Sequence, residues 1–497
     1  MNALISNLTI LLLLLPPIVG AGLVTVIKKK RTIGIITICT SSLILIQVLL
    51  LVPRIVSEKT ITAFGDTFYV DSLSAVILLS VSVVGFVAAL YSKNYMGRQY
   101  DNGTVDDKHI VRYYQGFNVF LLTMLVVPIA NNLGIMWVMV EATTLVSVLL
   151  IMLYFKENAI EAAWKYLIIA TVGLSFALIG TVFFYYANIN ANTSEDAMNW
   201  TGMVHNAKLF DPNLVKIAFV FILVGFGTKA GLAPMHTWLP DAHSEAPTPV
   251  SAVLSGVLLN CAFYAIIRFH IISSISIGPE FSNQLLIILA VISIGIAAAS
   301  IYFQKDMKRM LAYSSVEHMG LISLGIGFGG LFGIYGALLQ IVNHAVAKPL
   351  MFFASGSVSQ KYEAKAMSKI KGIIRVMPVT GILFLIGGLA LVGMPPFNVF
   401  LSEFMILSSG FKSGQFVATS LVILFLVITF AAFLRHLIKM IFGNPLSEMK
   451  KGEMGKLAII PMAILCSLVI IFGIYIPTQL QTLIHNASTI ISGGGFA

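Results

Sequence analysis

Charged side chains are scarce in this chain of 497 residues, in which they make up only 10% of the sequence. Hydrophobic residues make up 58%, and the mean hydropathy is +0.93. A soluble globular protein does not have this composition. The longest polar stretches, around 93–113 and 189–213, are too short to bury a core of their own. The composition therefore predicts a single integral membrane domain without a soluble domain.

Cysteine is equally rare, and this excludes several classes of redox and metal protein. The three cysteines, Cys39, Cys261 and Cys466, lie in apolar segments and form no CxxC pair that would bind an iron–sulfur cluster or zinc. The sequence also lacks a phosphate loop, a nucleotide-binding fingerprint and a hydrolase triad. We therefore expect no cofactor and no metal in this chain, and no catalysis by the chain alone.

Long apolar runs are abundant, and about fourteen of them are long enough to cross a bilayer. The expected helices are 3–27, 32–53, 71–92, 114–130, 133–155, 163–188, 214–234, 248–270, 283–303, 310–329, 331–356, 376–394, 415–440 and 458–477. The first run has no basic segment before it and no small-residue cleavage site, so it is expected to be a retained span. The fold class is an all-α membrane protein.

Lysine and arginine are unevenly distributed between the loops on the two sides of the predicted spans. Most of the 31 basic residues lie in or near the loops 28–31, 93–112, 156–165, 305–309, 361–375 and 435–456. The opposite side has Arg54, Lys59, Lys208, Lys216, Arg268 and Lys412. Because basic loops remain in the cytoplasm, the first set should be cytoplasmic and both termini should lie on the outer face of a prokaryotic plasma membrane. The net charge of +10 then reflects topology and does not indicate nucleic-acid binding.

Two of the predicted helices are interrupted by glycine and proline. The seventh is broken at GLAP (231–234) and the twelfth at GMPP (393–396). Corresponding breaks in two halves of a chain are typical of inverted-repeat transporters. We expect two inverted five-helix repeats, at 114–270 (helices 4–8) and 283–440 (helices 9–13). An N-terminal three-helix segment (1–113) would precede them, and helix 14 with the tail (441–497) would follow.

A few ionisable residues lie inside the apolar runs, where they are costly and hence candidates for function. They are Glu141, Lys229, Glu317, His318, His344, Lys348 and Glu403. Gln340, His344 and Lys348 recur every four residues and should share one helix face. Carboxylates, lysines and histidines with environment-dependent proton affinity suit a proton path near the bilayer midplane.

Each candidate also has a purely structural interpretation. Glu141 and Lys229 could clamp neighbouring helices through a buried ion pair. His318 and His344 could be ordinary packed histidines, and Glu403 could be solvated at the outer interface. The loop after Lys229 contains His236, Asp241, His243 and Glu245, which could suggest a metal site. We favour the interpretation in which these groups tie the loop or feed protons from the cytoplasmic side.

Four segments carry a resemblance to a known family: KAGLAPMHTWLPDAHSEAPTPVSAVLSG, KRMLAYSSVEHMG, NHAVAKPLMFF and GMPPFNVFLSEF. The chain resembles the antiporter-like subunits shared by respiratory complex I, Mrp-type cation/proton antiporters and energy-converting hydrogenases. Three segments look most like the F-type subunit of hydrogenase-4-related complexes: VEH at 316–318, FGTKAGLAPMH and EAAWKYLI. The resemblance implies fourteen transmembrane helices with two inverted repeats.

The resemblance also implies roles for individual residues. Glu141 and Lys229 would form the acid/lysine pair of the first half-channel, and Glu403 would be the terminal carrier of the second. His318, His344 and Lys348 would line the central axis. Apart from the resemblance, Glu317, Asn260, Asp241 and His243 are candidate auxiliary residues. Many family members have a lysine where this chain has Asn260. Because an asparagine cannot titrate, the sequence leaves open whether this chain translocates protons as effectively as those members.

Three hypotheses of different class follow from these residues. In the first, the chain is a proton-translocating subunit of an oxidoreductase complex, partnered by other membrane subunits and a peripheral redox module. In the second, it is an Mrp-type subunit that exchanges Na+ for H+ without redox input. In the third, it is a structural membrane scaffold in which Asn260 has interrupted the path. We favour the first, and the identity of the ion as H+ or Na+ is left open.

Overall fold

A computed structural model describes residues 2–27, 30–191, 197–445 and 449–493, and almost all of these residues are helical. Lys28 and Lys29 of the first predicted basic loop lie outside the described residues. The helices of the first half are α1 (Asn2–Val26), α2 (Lys30–Glu58), α3 (Ser72–Asp101), α4 (Asp107–Val126), α5 (Leu133–Ile151), α6 (Glu157–Ala191), α7 (Trp200–Asn206), α8 (Pro212–Ala230), α9 (Trp238–Glu245), α10 (Thr248–Val253) and α11 (Leu259–Ile277).

The second half continues the same pattern of long helices joined by short connections. Its helices are α12 (Glu280–Phe303), α13 (Met307–Phe328), α14 (Gly330–Tyr362), α15 (Ile373–Val376), α16 (Pro378–Leu391), α17 (Asn398–Lys412), α18 (Phe416–Phe442), α19 (Lys456–Ile474) and α20 (Thr478–Ile491). The prediction of a helical membrane protein is confirmed.

Within the described residues, 12 helices are long and apolar enough to cross a membrane. These do not include α13, which carries Glu317 and His318, or the short α16 and α17, although all three stand where spans were expected. The predicted count of fourteen spans is therefore supported only in part. α13 is less apolar because it carries polar residues such as Glu317 and His318, whereas α16 and α17 are short because the chain breaks between them.

A short antiparallel hairpin, β1 (Ile61–Ala63) and β2 (Phe68–Val70), connects α2 to α3. Its register pairs Ile61 with Val70 and Ala63 with Phe68. These strands were not expected from the sequence. Next to the hairpin, Asp71 caps α3 by accepting a hydrogen bond from the backbone N–H of Ser74 at 2.9 Å, as expected of an aspartate at a helix N-terminus.

Asp71 also forms a buried ion pair that ties two distant parts of the chain together. The Arg268 guanidinium on α11 donates from Nη1 and Nη2 to the two carboxylate oxygens of Asp71, each at 2.7 Å. The guanidinium carbon lies 4.2 Å from the centre of the Trp200 ring and 5.8 Å from that of Tyr69. Burial and the nearby Asp71 carboxylate raise the pKa of Tyr69, so its hydroxyl stays neutral. We call these four residues the Asp71 clamp.

Burial differs strongly between the helices. The span from Thr248 to Ile277 is buried except for its last turn, whereas fewer than a third of the residues in the span Phe416–Phe442 are buried. The exposed residues of α18 and α1 are large and aliphatic, such as Val427 and Leu4, as expected of helices that face lipid. The interior is therefore organised around α11, α13 and α14.

Both predicted helix breaks are present. α8 ends at Ala230, and Gly231 follows with a φ of 79°, the left-handed conformation typical of a helix C-terminus. The twelfth predicted helix is divided into α16 and α17, and Gly393 between them has a φ of 67°. A π-helical turn at Leu254–Leu258 lies between α10 and α11. Such turns often occur at functional positions because they leave the regular hydrogen-bond pattern.

Candidate functional site

Lys229 lies in the last turn of α8 and is fully buried. Its Nζ donates to Thr144 Oγ1 at 2.7 Å and to the hydroxyl of Tyr166. The Tyr166 hydroxyl is also 2.8 Å from Ser147 Oγ. A buried ammonium needs such oxygen partners because unpaired burial of the charge is costly.

Glu141 and Lys229 lie close together, but they do not form a direct ion pair among the described residues. Thr144 stands between them on α5, with its Oγ1 3.5 Å from Glu141 Oε2. The other carboxylate oxygen of Glu141 accepts a hydrogen bond from Thr171 at 2.9 Å. The expected acid/lysine pair is thus an acid and a lysine joined through one hydroxyl.

Asn260 is buried just after the π-helical turn and faces α14. Its Nδ2 donates to the carbonyl of Gly256 at 2.8 Å and, over 3.4 Å, to that of Ile341. Its Oδ1 has no protein partner among the described residues. The next residue, Cys261, lies close enough to Lys229 to interact with its charge. The asparagine therefore contacts α14, and the residue that follows it lies near Lys229.

His318 on α13 is held at both ring nitrogens. Its Nε2 is 3.1 Å from the carbonyl of Leu391, the last residue of α16, and its Nδ1 is 2.7 Å from Gln340 Nε2. A carbonyl only accepts, so Nε2 carries the proton and Nδ1 accepts from the Gln340 amide. Gln340 Oε1 in turn accepts from Ser402 on α17.

Ser402 connects this network to α17, the helix that follows the break. Its Oγ accepts from Asn343 Nδ2 at 2.9 Å and lies 2.9 Å from the carbonyl of Val399. Asn343 Nδ2 also donates to the carbonyl of Asn398 at 2.8 Å. We call His318, Gln340, Ser402 and Asn343 the His318 network.

Two further histidines line the interior without any protein hydrogen bond among the described residues. They are His344 on α14 and His243 on α9, both fully buried. The His344 ring centre is 5.3 Å from that of His318, and His243 stacks on Phe352 at 5.7 Å. The charges of Lys348 and of His243 both act on His344. The three histidines therefore form one group.

Lys348 and Glu317 lie on facing helices near this group. Lys348 Nζ donates to Ser314 Oγ and to the carbonyl of Leu311 at 3.1 Å. Glu317 is only 4% exposed, and the opposite charge of Lys348 acts on it. Glu403 on α17 is close enough to Glu317 to interact with its charge. A Cβ on Gly393 would lie 1.9 Å from Glu403 Oε2. The Glu403 carboxylate is thus packed against the helix break.

The loop from His236 to Glu245 does not form a metal cluster. Asp241 pairs with Arg309, and also with Lys165 at 3.4 Å, while Glu245 pairs with Lys365 at 3.0 Å. In the part of the chain that the structure describes, no three His, Cys, Asp or Glu residues are arranged to hold a metal ion. The acids tie the loop to α6 and to the α13–α14 region, and His243 turns inward.

A cavity of about 900 Å³ lies on the face that carries the basic loops. We call it the basic cavity, and its lining residues include Arg98, Lys156, Lys308, Lys361 and Lys365. Lys308 is 4% exposed and donates to the carbonyl of Ala246 at 2.9 Å. It is close enough to His243 for its charge to act there. Lys308 therefore lies between the cavity and the buried histidines.

Several residues of this site were missed in the sequence. Thr144, Tyr166 and Ser402 are polar but uncharged, and residues of these types are common in apolar helices. Lys308 opens α13, and the sequence places it in a cytoplasmic loop. Gln340 was not missed, because its spacing from His344 and Lys348 places it on the polar face of α14.

The chain was compared with known proteins. Residues 130–429 match the family model described as NADH:quinone oxidoreductase/Mrp antiporter, TM. Residues 63–114 match a second model, that of the N-terminus of NADH-ubiquinone oxidoreductase (complex I) chain 5. Together the two regions include every residue of the candidate site.

Individual relatives cover nearly the whole chain. The hydrogenase-4 component F homolog of Methylacidiphilum infernorum is 37% identical over 430 residues, which are 86% of this chain and 89% of that protein. The putative antiporter subunit mnhD2 of Staphylococcus epidermidis is 28% identical over 92% of each chain. The solved structure of the membrane-bound sulfane sulfur reductase, an archaeal respiratory membrane complex, contains a similar chain. Its TM-score is 0.86, its identity is 27%, and 98% of each chain is covered.

Proposed function

Because this chain belongs to the NADH:quinone oxidoreductase/Mrp antiporter family of membrane subunits, we propose that it translocates protons within a redox-driven complex related to complex I and hydrogenase-4. The observation that carries the proposal is a series of titratable side chains on adjacent helices. Lys229, His344, His318, Lys348 and Glu317 are buried, and the partly buried Glu141 and Glu403 stand at the two ends of the series. Isolated structural ion pairs would not require so many titratable groups in one apolar interior.

In the first half of the path, Glu141 and Lys229 exchange a proton through the Thr144 hydroxyl. A hydroxyl can donate and accept at once, so it can pass a proton from one neighbour to the other. When the lysine is neutral, the carboxylate draws a proton toward it, and when a nearby positive charge arrives, the lysine releases the proton. The Thr144 contact at 2.7 Å on one side and 3.5 Å on the other fits this role.

The centre of the path consists of the three histidines and Lys348. Histidine titrates near neutral pH and can both take up and release a proton. His243 and His344 have free ring nitrogens within the described residues, which water can reach in a hydrated interior. Protons would enter from the basic cavity through Lys308 and His243. Asn260 contributes by orienting water between Lys229 and α14.

The second half of the path runs from Lys348 to Glu317 and ends at Glu403. The Glu403 carboxylate lies against the break between α16 and α17. Irregular backbone at membrane depth is tolerated where it lines a hydrated cavity. This position suits a carrier that releases protons on the side opposite the basic cavity.

The topology belongs to the same proposal. Adding α13 and the combined α16–α17 helix to the twelve apolar spans gives fourteen crossings, with inverted repeats at 114–270 and 283–440. The segment 1–113 precedes them and 441–497 follows. Both termini would lie on the outer face of a prokaryotic plasma membrane, and the basic cavity would face the cytoplasm. Partner membrane subunits and a peripheral redox module would supply the energy, since this chain is proposed to hold no cofactor.

The Lys229→Ala variant tests this proposal. It should abolish proton uptake into vesicles containing the reconstituted complex while redox turnover and assembly persist, because the bridge to Thr144 loses its ammonium. Lys216→Ala is the matched control, since Lys216 is exposed on the same helix. Proton uptake at the wild-type rate in Lys229→Ala would refute the central role of this lysine.

An Mrp-type Na+/H+ antiporter subunit is the second candidate, favoured by the similarity to the staphylococcal protein over 92% of each chain. The two candidates differ in what drives transport and in what copurifies. Proton movement that requires Na+ and persists without any redox donor would favour the antiporter. Copurification with a redox module, together with proton uptake that follows electron transfer, would favour the first proposal.

A further inference from the structure

The His318 network contains a side chain that the proton path does not use. Gln340 donates from Nε2 to His318 Nδ1 at 2.7 Å and accepts at Oε1 from Ser402. The Leu391 carbonyl fixes the other ring nitrogen as the one that carries a proton. In this arrangement His318 is neutral, and the lone pair on its Nδ1 accepts a hydrogen bond from the Gln340 amide N–H.

A second proton on His318 would have to go on Nδ1, where it would point at the N–H group of Gln340. When two donors face each other in a buried site, both lack an acceptor. The free-energy cost of these two unsatisfied donors exceeds the stabilisation that the original hydrogen bond gave. His318 can therefore become charged at low cost only if Gln340 turns its amide oxygen, in place of its amide nitrogen, toward Nδ1. Rotation of the carboxamide by half a turn brings Oε1 to the ring and Nε2 to Ser402.

Ser402 can accommodate both orientations because a hydroxyl donates and accepts. In the neutral state its proton goes to Gln340 Oε1. In the charged state the proton can go to the Val399 carbonyl at 2.9 Å, while Oγ accepts from Gln340 and from Asn343. In each state Gln340 then keeps a hydrogen bond to His318 and one to Ser402, which allows the buried polar network two stable arrangements.

We infer that Gln340 is a positioning residue whose carboxamide reverses when His318 takes up a proton, so that Gln340 and Ser402 together set the proton affinity of His318. The inference rests on the proposed function only for the role of His318 as a carrier. Because Ser402 lies on α17, the reversal also changes the contacts on that side of the helix break, while His318 Nε2 keeps its hydrogen bond to Leu391 at the end of α16.

The other titratable groups around His318 act on its charge but do not contact its nitrogens. On α14 these are His344, 5.3 Å away between ring centres, and Lys348. Glu317 precedes His318 on α13, Glu403 on α17 acts on Glu317, and His243 on α9 acts on His344. Since Gln340 is uncharged, its effect on His318 can be separated from theirs by substitution at position 340 alone.

The test is a pH titration of His318 in the purified complex, followed by nitrogen-15 NMR of labelled histidine. The signal is assigned by its loss in His318→Gln. Gln340→Glu, which presents only an acceptor when ionised, should raise the titration midpoint by about one to three pH units. Gln340→Met should lower it by about half a unit to one unit, because the charged ring loses a stronger hydrogen bond than the neutral ring does.

The sign of the Gln340→Met shift decides between a reversing and a fixed amide. A fixed amide repels the charged ring, so its removal would raise the midpoint and overturn the inference. An unchanged midpoint in Gln340→Glu would also overturn it, as would a wild-type His318 that stays neutral over the whole pH range in which the protein is folded. Gln360→Met, on the same helix outside the His318 network, should leave the midpoint unchanged.

Proton uptake measured in vesicles separates this inference from the proposed function. If both midpoints shift as expected but His318→Gln transports protons normally, the switch stands and the place of His318 on the path is wrong. If His318→Gln stops transport and the midpoints do not shift, the path stands and the switch is wrong.

Discussion

At the scale of single residues, uncharged hydroxyls and amides make most of the contacts between the charged groups. Thr144 contacts Lys229 at 2.7 Å, Ser314 contacts Lys348, and Gln340 contacts His318. A buried charge is stabilised by a hydrogen-bonding neighbour even when the opposite charge is one residue further away. These neighbours therefore influence proton affinity without carrying a charge of their own.

Replacing Thr144 tests whether the hydroxyl connects the acid to the lysine. Thr144→Val keeps the shape of the side chain and should reduce proton uptake to nearly the level of Glu141→Gln, whereas Thr144→Ser should retain most of it. Thr143→Val is the control because the Thr143 hydroxyl bonds only to the carbonyl of Val140, at 2.6 Å, within its own helix. Vesicle uptake at the wild-type rate in Thr144→Val would show that the proton does not pass this hydroxyl.

The Asn260→Lys variant places a lysine on α11 where the buried asparagine contacts α14. The new ammonium would share the interior with Lys229, and like charges in a poorly screened interior lower the proton affinity of one partner. We expect an assembled complex whose proton uptake has a pH optimum below that of the wild type. Measuring uptake against pH in both proteins checks this, and an identical pH profile would indicate that Asn260 does not face the path.

Residues that carry a formal charge could be found in the sequence because each interrupts an apolar run. Lys229, Glu317 and His344 were identified in this way, and the structure places all three in the buried interior. The linking residues were not identifiable, because a threonine or serine in a membrane helix usually bonds to its own backbone. Their importance depends on which helix packs opposite, and that is a property of the tertiary structure.

At the scale of helices, the two breaks place irregular backbone beside titratable groups. The second break does so through Gly393, which adopts a φ of 67° and leaves no room for a Cβ next to Glu403. Glycine is needed there for the backbone conformation and for the close approach of the carboxylate. The break is therefore shaped around the Glu403 side chain.

Gly393→Ala should displace the Glu403 carboxylate and strongly reduce proton uptake. Gly414→Ala separates this effect from backbone strain, because Gly414 has a φ of 75° and nothing within 4 Å of its would-be Cβ. Both variants should lose about 1–2 kcal/mol of stability, measured by denaturant unfolding in detergent, but only Gly393→Ala should lose transport. Equal transport in the two variants would exclude a role for the position of Glu403.

The long apolar helices and both breaks could be predicted because hydrophobic runs and Gly-Pro pairs are local signals. The β1–β2 hairpin and the short helices α7 and α9 could not, since their few residues give no periodicity. α20 was also missed, because its polar residues conceal an apolar face that packs against α3 and α14. The inverted repeats stay a prediction at this scale.

At the scale of the whole molecule, the Asp71 clamp joins the N-terminal helices to the interior helix α11. The two charged residues of the clamp, Asp71 and Arg268, are almost completely buried, with exposed side-chain fractions of 0% and 3%. Removing one partner of such a pair leaves a charge without compensation, which is far more costly than the pair itself is stabilising. The clamp therefore makes the segment before residue 114 part of the same folding unit as the site.

Asp71→Asn should lower the free energy of unfolding by about 3–5 kcal/mol. Combining it with Arg268→Gln should restore part of that loss, because no unpaired charge remains. Glu58→Gln is the control, since Glu58 and Arg54 form an exposed pair that contributes about 0–1 kcal/mol. The free energy of unfolding in SDS would be measured for the wild type and the three variants. If Asp71→Asn were as stable as the wild type, the clamp would contribute nothing to stability.

The row of titratable residues has an electrical consequence. Glu141, Glu317 and His344 each lie near the middle of their helix, so the proposed path runs parallel to the membrane plane. A charge that moves parallel to this plane crosses none of the transmembrane voltage, which acts at about 2.3 kcal/mol per elementary charge per 100 mV. The voltage is then felt only on the perpendicular approaches, such as the one from Lys308 to His243. An opposing membrane potential should therefore slow proton entry and exit and leave the lateral transfer at its own rate.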